Sequence, residues 1–305
     1  MQIYLPIAEM AVSAETIFLL SAFVGLLSGI FGIGGGFLAT PFLIFIGIPP
    51  AVAVGTQASQ LVASSVTGSI AHLRRGNVDV KMAGVLLFGG ILGSFVGVFI
   101  FKFLQYLGQI DFAISILYII LLSSIGGLML LESVTSMFKK QEDVRKAFNN
   151  TRISPFILAL PYKMRFPRSK LFISAFVPGG IGFIGGILAS VLGISGGFLI
   201  VPAMIYILGM PALLVAGTAL FQVIFTTAST TIMHAVLNNT VDIVLGLLLI
   251  LGGVVGAQMG VSLSRFFRGK QARIFLALII LGVCAALMID LFVTPVELFS
   301  TVHEQ

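Results

Sequence analysis

Long apolar runs, broken by short polar or glycine-rich stretches, fill the chain from residue 14 to residue 292. Roughly ten segments stand out, near 14–31, 37–47, 51–71, 80–101 and 110–131, then 171–192, 198–209, 212–236, 241–264 and 273–292. Their length predicts helices, because barrel strands would be shorter and would alternate apolar with polar positions. Most are long enough to cross a bilayer. The runs 37–47 and 198–209 are not, since a helix rises about 1.5 Å per residue and a hydrocarbon core is about 30 Å thick. Each of these short runs follows a glycine cluster.

The two sets of five runs carry the same landmarks. Phe31-Gly32-Ile33-Gly34-Gly35-Gly36-Phe37-Leu38 with Pro41 recurs as Leu192-Gly193-Ile194-Ser195-Gly196-Gly197-Phe198-Leu199 with Pro202. Downstream, Pro49 matches Pro211, Gly55-Thr56 matches Gly217-Thr218, Gln60 matches Gln222, His72 matches His234 and Val78-Asp79 matches Val241-Asp242. Gly89-Gly90, Gly93 and Gly97 then match Gly252-Gly253, Gly256 and Gly260. The spacing stays at 161 to 163 residues, which marks an internal duplication rather than shared composition.

Composition narrows the class further. With 58% hydrophobic and 9% charged residues, there are too few polar groups to cover a soluble globule, so apolar surface must face lipid. The net charge of +6 does not predict nucleic acid binding, because the basic residues sit in short clusters between apolar runs. Arg74, Arg75 and Lys81 form one cluster, nine residues from Lys139 to Lys170 a second, and Arg265, Arg268, Lys270 and Arg273 a third, leaving only Lys102. If all three clusters are cytoplasmic, the N- and C-terminal tails and the turns at 102–110 and 237–242 lie outside. The loop Arg74–Lys81 is then inside while its repeat partner is outside, so the halves are inverted. The expectation is an all-α polytopic membrane protein of the cytoplasmic (inner) membrane, with two inverted-topology repeats and short broken or re-entrant half-helices. Its parts are a first repeat at 1–132, a basic cytoplasmic linker at 133–170 and a second repeat at 171–305. The linker, with Phe138, Phe148, Pro155-Phe156-Ile157-Leu158 and Tyr162, reads either as an interfacial amphipathic segment or as a solvated loop with a few buried anchors.

The glycine breaks are the first candidate chemistry. Backbone broken within lipid is tolerated only inside protein or beside a cavity, and freed N–H groups at a helix start favour an anion. Gly34, Gly35 and Gly36, with Ser195, Gly196 and Gly197, are therefore candidate substrate ligands; the alternative is that the glycines serve close helix packing. Thr56, Gln57, Gln60 and Ser64, matched by Thr218, Gln222 and Thr226, offer neutral donors for an oxyanion, or else interhelical hydrogen bonds, with Gln60 and Gln222 the strongest candidates. His72 and His234 close the same helices and could carry a coupled proton, or could simply cap or snorkel. No metal pattern, nucleotide fingerprint or catalytic triad appears, so no cofactor and no catalytic residue is expected. The single cysteine, Cys284, permits no intrachain disulfide.

The motif Gly32-Ile33-Gly34-Gly35-Gly36-Phe37-Leu38 with Pro41, then Gly55-Thr56 and Arg75-Gly76-Asn77-Val78-Asp79, resembles the signature of the TauE/SafE family of sulfite exporters. The second half repeats it, with Ser195 in the glycine cluster and Asn238-Asn239-Thr240 ahead of Val241-Asp242. The resemblance implies secondary export of a small sulfur-containing anion such as sulfite or an organosulfonate (sulfoacetate), by alternating access around a midplane site. A passive anion channel and a membrane-embedded enzyme of sulfur metabolism are the competing classes. The expected partners are a small anion and the lipid bilayer, with assembly into a homodimer left open.

Overall fold

The computed structural model describes residues 2–31, 36–138, 161–263 and 270–292. Ten α-helices occupy the ten predicted runs: α1 (Ala14–Phe31), α2 (Gly36–Phe45), α3 (Pro50–Arg74), α4 (Val80–Tyr106) and α5 (Ile110–Phe138), then α6 (Phe176–Leu192), α7 (Gly197–Tyr206), α8 (Ala212–Met233), α9 (Ile243–Leu263) and α10 (Lys270–Phe292). A π-helical turn, His234–Asn238, extends α8. Among the described residues, α4, α5, α8 with its π turn, α9 and α10 hold five spans long and apolar enough to cross a membrane. Large apolar side chains such as Phe88, Phe99, Ile120, Leu128, Leu251 and Ile289 point outward from these helices, as expected of a lipid-facing surface.

Two features depart from the hydropathy reading. Helix α4 runs through Lys102 to Tyr106, so the turn before α5 is shorter than 102–110. Each half also begins with a two-stranded antiparallel hairpin: β1 (Gln2–Leu5) pairs with β2 (Met10–Ser13), and β3 (Lys163–Phe166) with β4 (Leu171–Ser174). Hydropathy assigns 163–170 to the linker and 171–175 to a helix; turn chemistry prevails instead. Pro6 and Pro167 enter the two turns at the repeat spacing of 161, and Glu9 and Lys170 leave them in left-handed backbone, at φ 53° and 54°. Of the linker landmarks, Tyr162 meets Phe176 edge-on at 5.7 Å, while Phe148 and Pro155–Leu158 lie outside the described residues.

The halves interlock by exchanging partners. The first helix of each packs along the fourth helix of the other, α1 on α9 and α6 on α4, while α3 crosses α8 and α5 pairs with α10. Glycine makes this approach possible. A Cβ on Gly93 would lie 2.0 Å from the Phe183 carbonyl oxygen, and one on Gly256 would lie 1.9 Å from that of Ala22. Backbones this close are the known use of small residues in membrane helices, where burying apolar side chains gains nothing over lipid.

The half-helices are built alike. Helices α2 and α7 have ten residues each, about 15 Å at the usual rise. Pro41 and Pro202 sit inside them and cannot donate to the carbonyls four residues back. Gly47 and Gly209 turn the chain at φ 93° and 66°, and Pro49 and Pro211 stand at the N-caps of α3 and α8.

Replacing Gly93 or Gly256 with alanine is expected to lower stability by about 1–3 kcal/mol, the usual range for overpacking. Gly84→Ala on the opposite, exposed face of α4, where a Cβ would meet nothing within 4 Å, is the control. Thermal unfolding of the purified protein in detergent reads both.

Candidate functional site

The polar residues predicted on the third helices divide into two groups with different partners. Thr56 and Thr218 form the first. The Thr56 hydroxyl accepts from the Asp242 backbone N–H at 2.9 Å, and the Thr218 hydroxyl accepts from the Asp79 N–H at 3.0 Å. Both threonines are buried. These two bonds are the same contact made twice with the halves exchanged.

Asp79 and Asp242, matched in the sequence but not read there as functional, cap the fourth helices. One carboxylate oxygen of each accepts from a backbone N–H three residues on, Met82 at 3.2 Å and Leu245 at 3.0 Å. The second oxygen is taken by a hairpin. Asp242 accepts from the Ile7 N–H at 3.0 Å, and Asp79 accepts from the Ser169 N–H at 3.0 Å and its hydroxyl at 2.5 Å. Each hairpin thus fastens a helix start belonging to the opposite half. The visible signal for this role is an Asp ahead of each fourth apolar run.

The glutamines form the second group. Gln57 donates from Nε2 to Gln60 Oε1 at 2.6 Å, Gln60 donates to the Ser21 hydroxyl at 3.2 Å, and Ser21 donates to the Leu249 carbonyl at 2.5 Å. This relay joins α3 to α1 and α9. On the other side, Gln222 donates to the Thr226 hydroxyl at 2.6 Å, which donates to the Gln222 carbonyl at 3.1 Å. Each glutamine head lies against a glycine of the opposite half's fourth helix. A Cβ on Gly253 would meet Gln60 Nε2 at 2.1 Å, and one on Gly90 would meet Gln222 Nε2 at 2.6 Å. Buried Gln57 Oε1 and Gln222 Oε1 have no hydrogen-bond partner. Buried polar atoms left this way are costly and uncommon.

The second glycine break lies close by. Helix α6 ends at Gly193, in left-handed backbone, where a Cβ would lie 2.7 Å from the Val54 carbonyl oxygen. The hydroxyl of buried Tyr118 donates to the Leu192 carbonyl. Helix α7 then starts from Gly196, whose carbonyl accepts from the Ile200 N–H at 2.8 Å. Ser195 is buried in the break. Gly197 opens α7 as Gly36 opens α2, and Gly36 abuts Leu61 so tightly that a Cβ would come within 2.6 Å. Gly34 and Gly35 lie outside the described residues. Ser64 is half-buried, its hydroxyl donating to the Leu61 carbonyl at 3.1 Å.

The model of one protein family, described as "Sulfite exporter TauE/SafE", matches residues 17–287. The chain belongs to this family. A probable membrane transporter protein of Xylella fastidiosa is 29% identical to this TauE/SafE protein over 250 residues, covering 81% of this chain and 84% of the relative. The probable membrane transporter protein YjnA of Bacillus subtilis is 28% identical over 269 residues, covering 87% and 96%. A stretch of 78 residues is 37% identical to a sulfite exporter TauE/SafE family protein of Arabidopsis thaliana, 26% of this chain and 17% of that one. No solved structure matches.

The two repeat-matched histidines of this TauE/SafE chain, His72 and His234, differ in surroundings. His234, fully buried, places Nε2 at 2.8 Å from the Ser190 carbonyl oxygen and Nδ1 at 3.0 Å from Asn238 Nδ2. A carbonyl only accepts, so Nε2 carries the hydrogen, Nδ1 accepts from the amide, and the ring is neutral with both nitrogens engaged. Phe101 covers it edge-on at 4.6 Å. His72 is half-buried, and its Nδ1 has no partner.

Two predictions follow from this geometry. Gly253→Ala would push aside the flexible Gln60 head rather than a backbone, so stability should fall by less than about 1 kcal/mol. Gly90→Ala would press on the Gln222 head and also on the Thr226 hydroxyl at 2.8 Å, costing somewhat more, and in each any ligand response through that glutamine is lost. Asp242→Ala should cost about 1–3 kcal/mol, since it removes a helix cap and leaves the Ile7 N–H without its acceptor. Unfolding curves with and without anion separate the two behaviours.

Proposed function

We propose that this protein is a secondary transporter, an exporter by resemblance, that carries a small sulfur-containing anion such as sulfite or sulfoacetate across the cytoplasmic membrane. It would work by alternating access between two inverted repeats, with both termini outside. The observation that carries the reading is the pair of buried glutamine clusters, each seated on a glycine of the opposite half and each holding an unpartnered amide oxygen. If the Gln222 amide turns half a revolution, its oxygen can accept from the Thr226 hydroxyl and its NH₂ group is freed for an oxyanion. Such neutral donors bind an anion without burying a second charge. The start of α7 at Gly196 and Gly197 adds a positive helix end beside them.

The family description supports the sulfur-anion class, and the transporter names of the relatives support carriage rather than catalysis. The reciprocal bonds Thr56–Asp242 and Thr218–Asp79 support the inverted arrangement, because a two-fold relation makes every cross-half contact occur twice. His72, whose buried Nδ1 has no hydrogen-bond partner, is the better placed of the two matched histidines to carry a coupled proton.

The test is thermal stabilisation of the purified protein by sulfite, sulfate, thiosulfate, sulfoacetate, taurine and non-sulfur carboxylates. One sulfur oxyanion should raise the melting temperature selectively, by several degrees at about a hundredfold excess over its dissociation constant. Gln60→Ala and Gln222→Ala should each abolish that shift. An equal shift in both variants removes the glutamines from the site. Anion flux into vesicles that never saturates would favour a channel.

A further inference from the structure

Repeat-related positions on α3 and α8 stand in different environments. Ser64, Gly68 and His72 are all partly exposed. Thr226, Thr230 and His234, at the matching positions 162 residues on, are 2%, 0% and 0% exposed. Spaced by four, each set follows one side of its helix, running from Gln60 or Gln222 to the helix end. The stripe on α8 is shut by neighbours. Helix α6 packs against α8, the Ser190 carbonyl in the last turn of α6 holds His234, and Phe101 of α4 lies on the ring. Among the described residues α1 does not pack on α3 in the same way. The position matching Ser190 is Gly29, in the last turn of α1, yet among the described residues His72 makes no bond like that of His234 Nε2 to Ser190. Its Nδ1, the counterpart of the nitrogen that Asn238 serves on His234, is unpartnered as well.

We propose that this structure is one of two alternating states, and that His72 and His234 are latches that exchange roles between them; this rests on the alternating-access reading above. Here the His234 latch is closed on Ser190, and the site opens along Ser64, Gly68 and His72. In the other state His72 closes on the Gly29 carbonyl and His234 releases Ser190. The same kind of bond is lost at one end and gained at the other, so the two states can lie close in energy, as a carrier requires. The open end here is the basic one. Arg74 and Arg75 follow His72, and the hairpin bound to Asp79 carries Lys163, Arg165, Arg168 and Lys170, whereas the hairpin bound to Asp242 carries Glu9. By the positive-inside tendency, this state faces the cytoplasm.

The experiment uses the full chain with Cys284→Ser, single cysteines at Ser64→Cys or Thr226→Cys, and a membrane-impermeant maleimide applied to vesicles of either orientation. The cysteine at 64 should react from the side of the basic loops at least about tenfold faster than the one at 226. Adding His234→Ala should speed reaction at 226 and slow it at 64 by about tenfold, the effect of losing one or two buried hydrogen bonds. His72→Ala should leave 64 the faster site. His234→Gln, which keeps a donor toward Ser190, should retain most of the original pattern and shows that the ring's removal alone does not unfold the protein. Equal reaction at both sites, or the same direction of change in His234→Ala and His72→Ala, overturns the latch exchange. Anion flux in the same vesicles keeps the two ideas apart. Absent flux with unequal labelling overturns transport, and measurable flux with equal labelling overturns only the latches.

Discussion

In hydrocarbon there is no water to satisfy a loose backbone group, so every break in a membrane helix must be completed by protein. This constraint organises the molecule. The second break is held by a carbonyl bond from Tyr118 and by contact of Gly193 with Val54. The starts of α4 and α9 are capped by Asp79 and Asp242, and the remaining lone pairs of those carboxylates are filled by the two hairpins. Each hairpin sits on the opposite side of the duplication from the α4 or α9 start it fastens. The breaks are therefore sites where the halves are joined as well as sites where a ligand could enter.

The fourth helices combine two tasks on adjacent residues. Gly89 and Gly93 on α4 let the backbone of α6 approach, while Gly90 makes room for the head of Gln222. On α9, Gly252 and Gly256 admit α1 while Gly253 makes room for Gln60. A helix turn separates the packing positions, and a shift of one residue turns the chain toward the site. The glycine doublets thus tie the distance between helices to the position of the glutamines. Any sliding of α6 along α4 would be felt at Gln222 through a single intervening residue.

Much of this could be read from the sequence, and what could not has a physical explanation. All ten described α-helices follow from apolar runs, and the duplication follows from landmarks such as Gly32–Gly36, Gln60 and His72. The hairpins escaped because hydropathy cannot see a turn: Leu171–Ser174 is as apolar as a helix start, and only the 161-residue echo of Pro6 in Pro167 betrays it. Thr56 and Thr218 were legible as buried polar positions, but their partners, the N–H groups of Asp242 and Asp79, lie 186 and 139 residues away, beyond any local pattern. Gln60 and Gln222 stood out in the sequence as candidate substrate donors and both are buried, whereas their seating on Gly253 and Gly90 depends on which helices meet. That is a tertiary fact.

The exchange of first helices has a consequence for how the chain is made. Ribosomes release α1 long before α9 exists, with just over two hundred residues synthesised between Phe31 and Ile243 at about 5–20 residues per second. Throughout that interval the close-contact face of α1, around Ser21 and Gly25, has no protein to meet. Assembly of the first half must therefore wait for the second, and α1, inserted long before α9, is among the last helices to be packed.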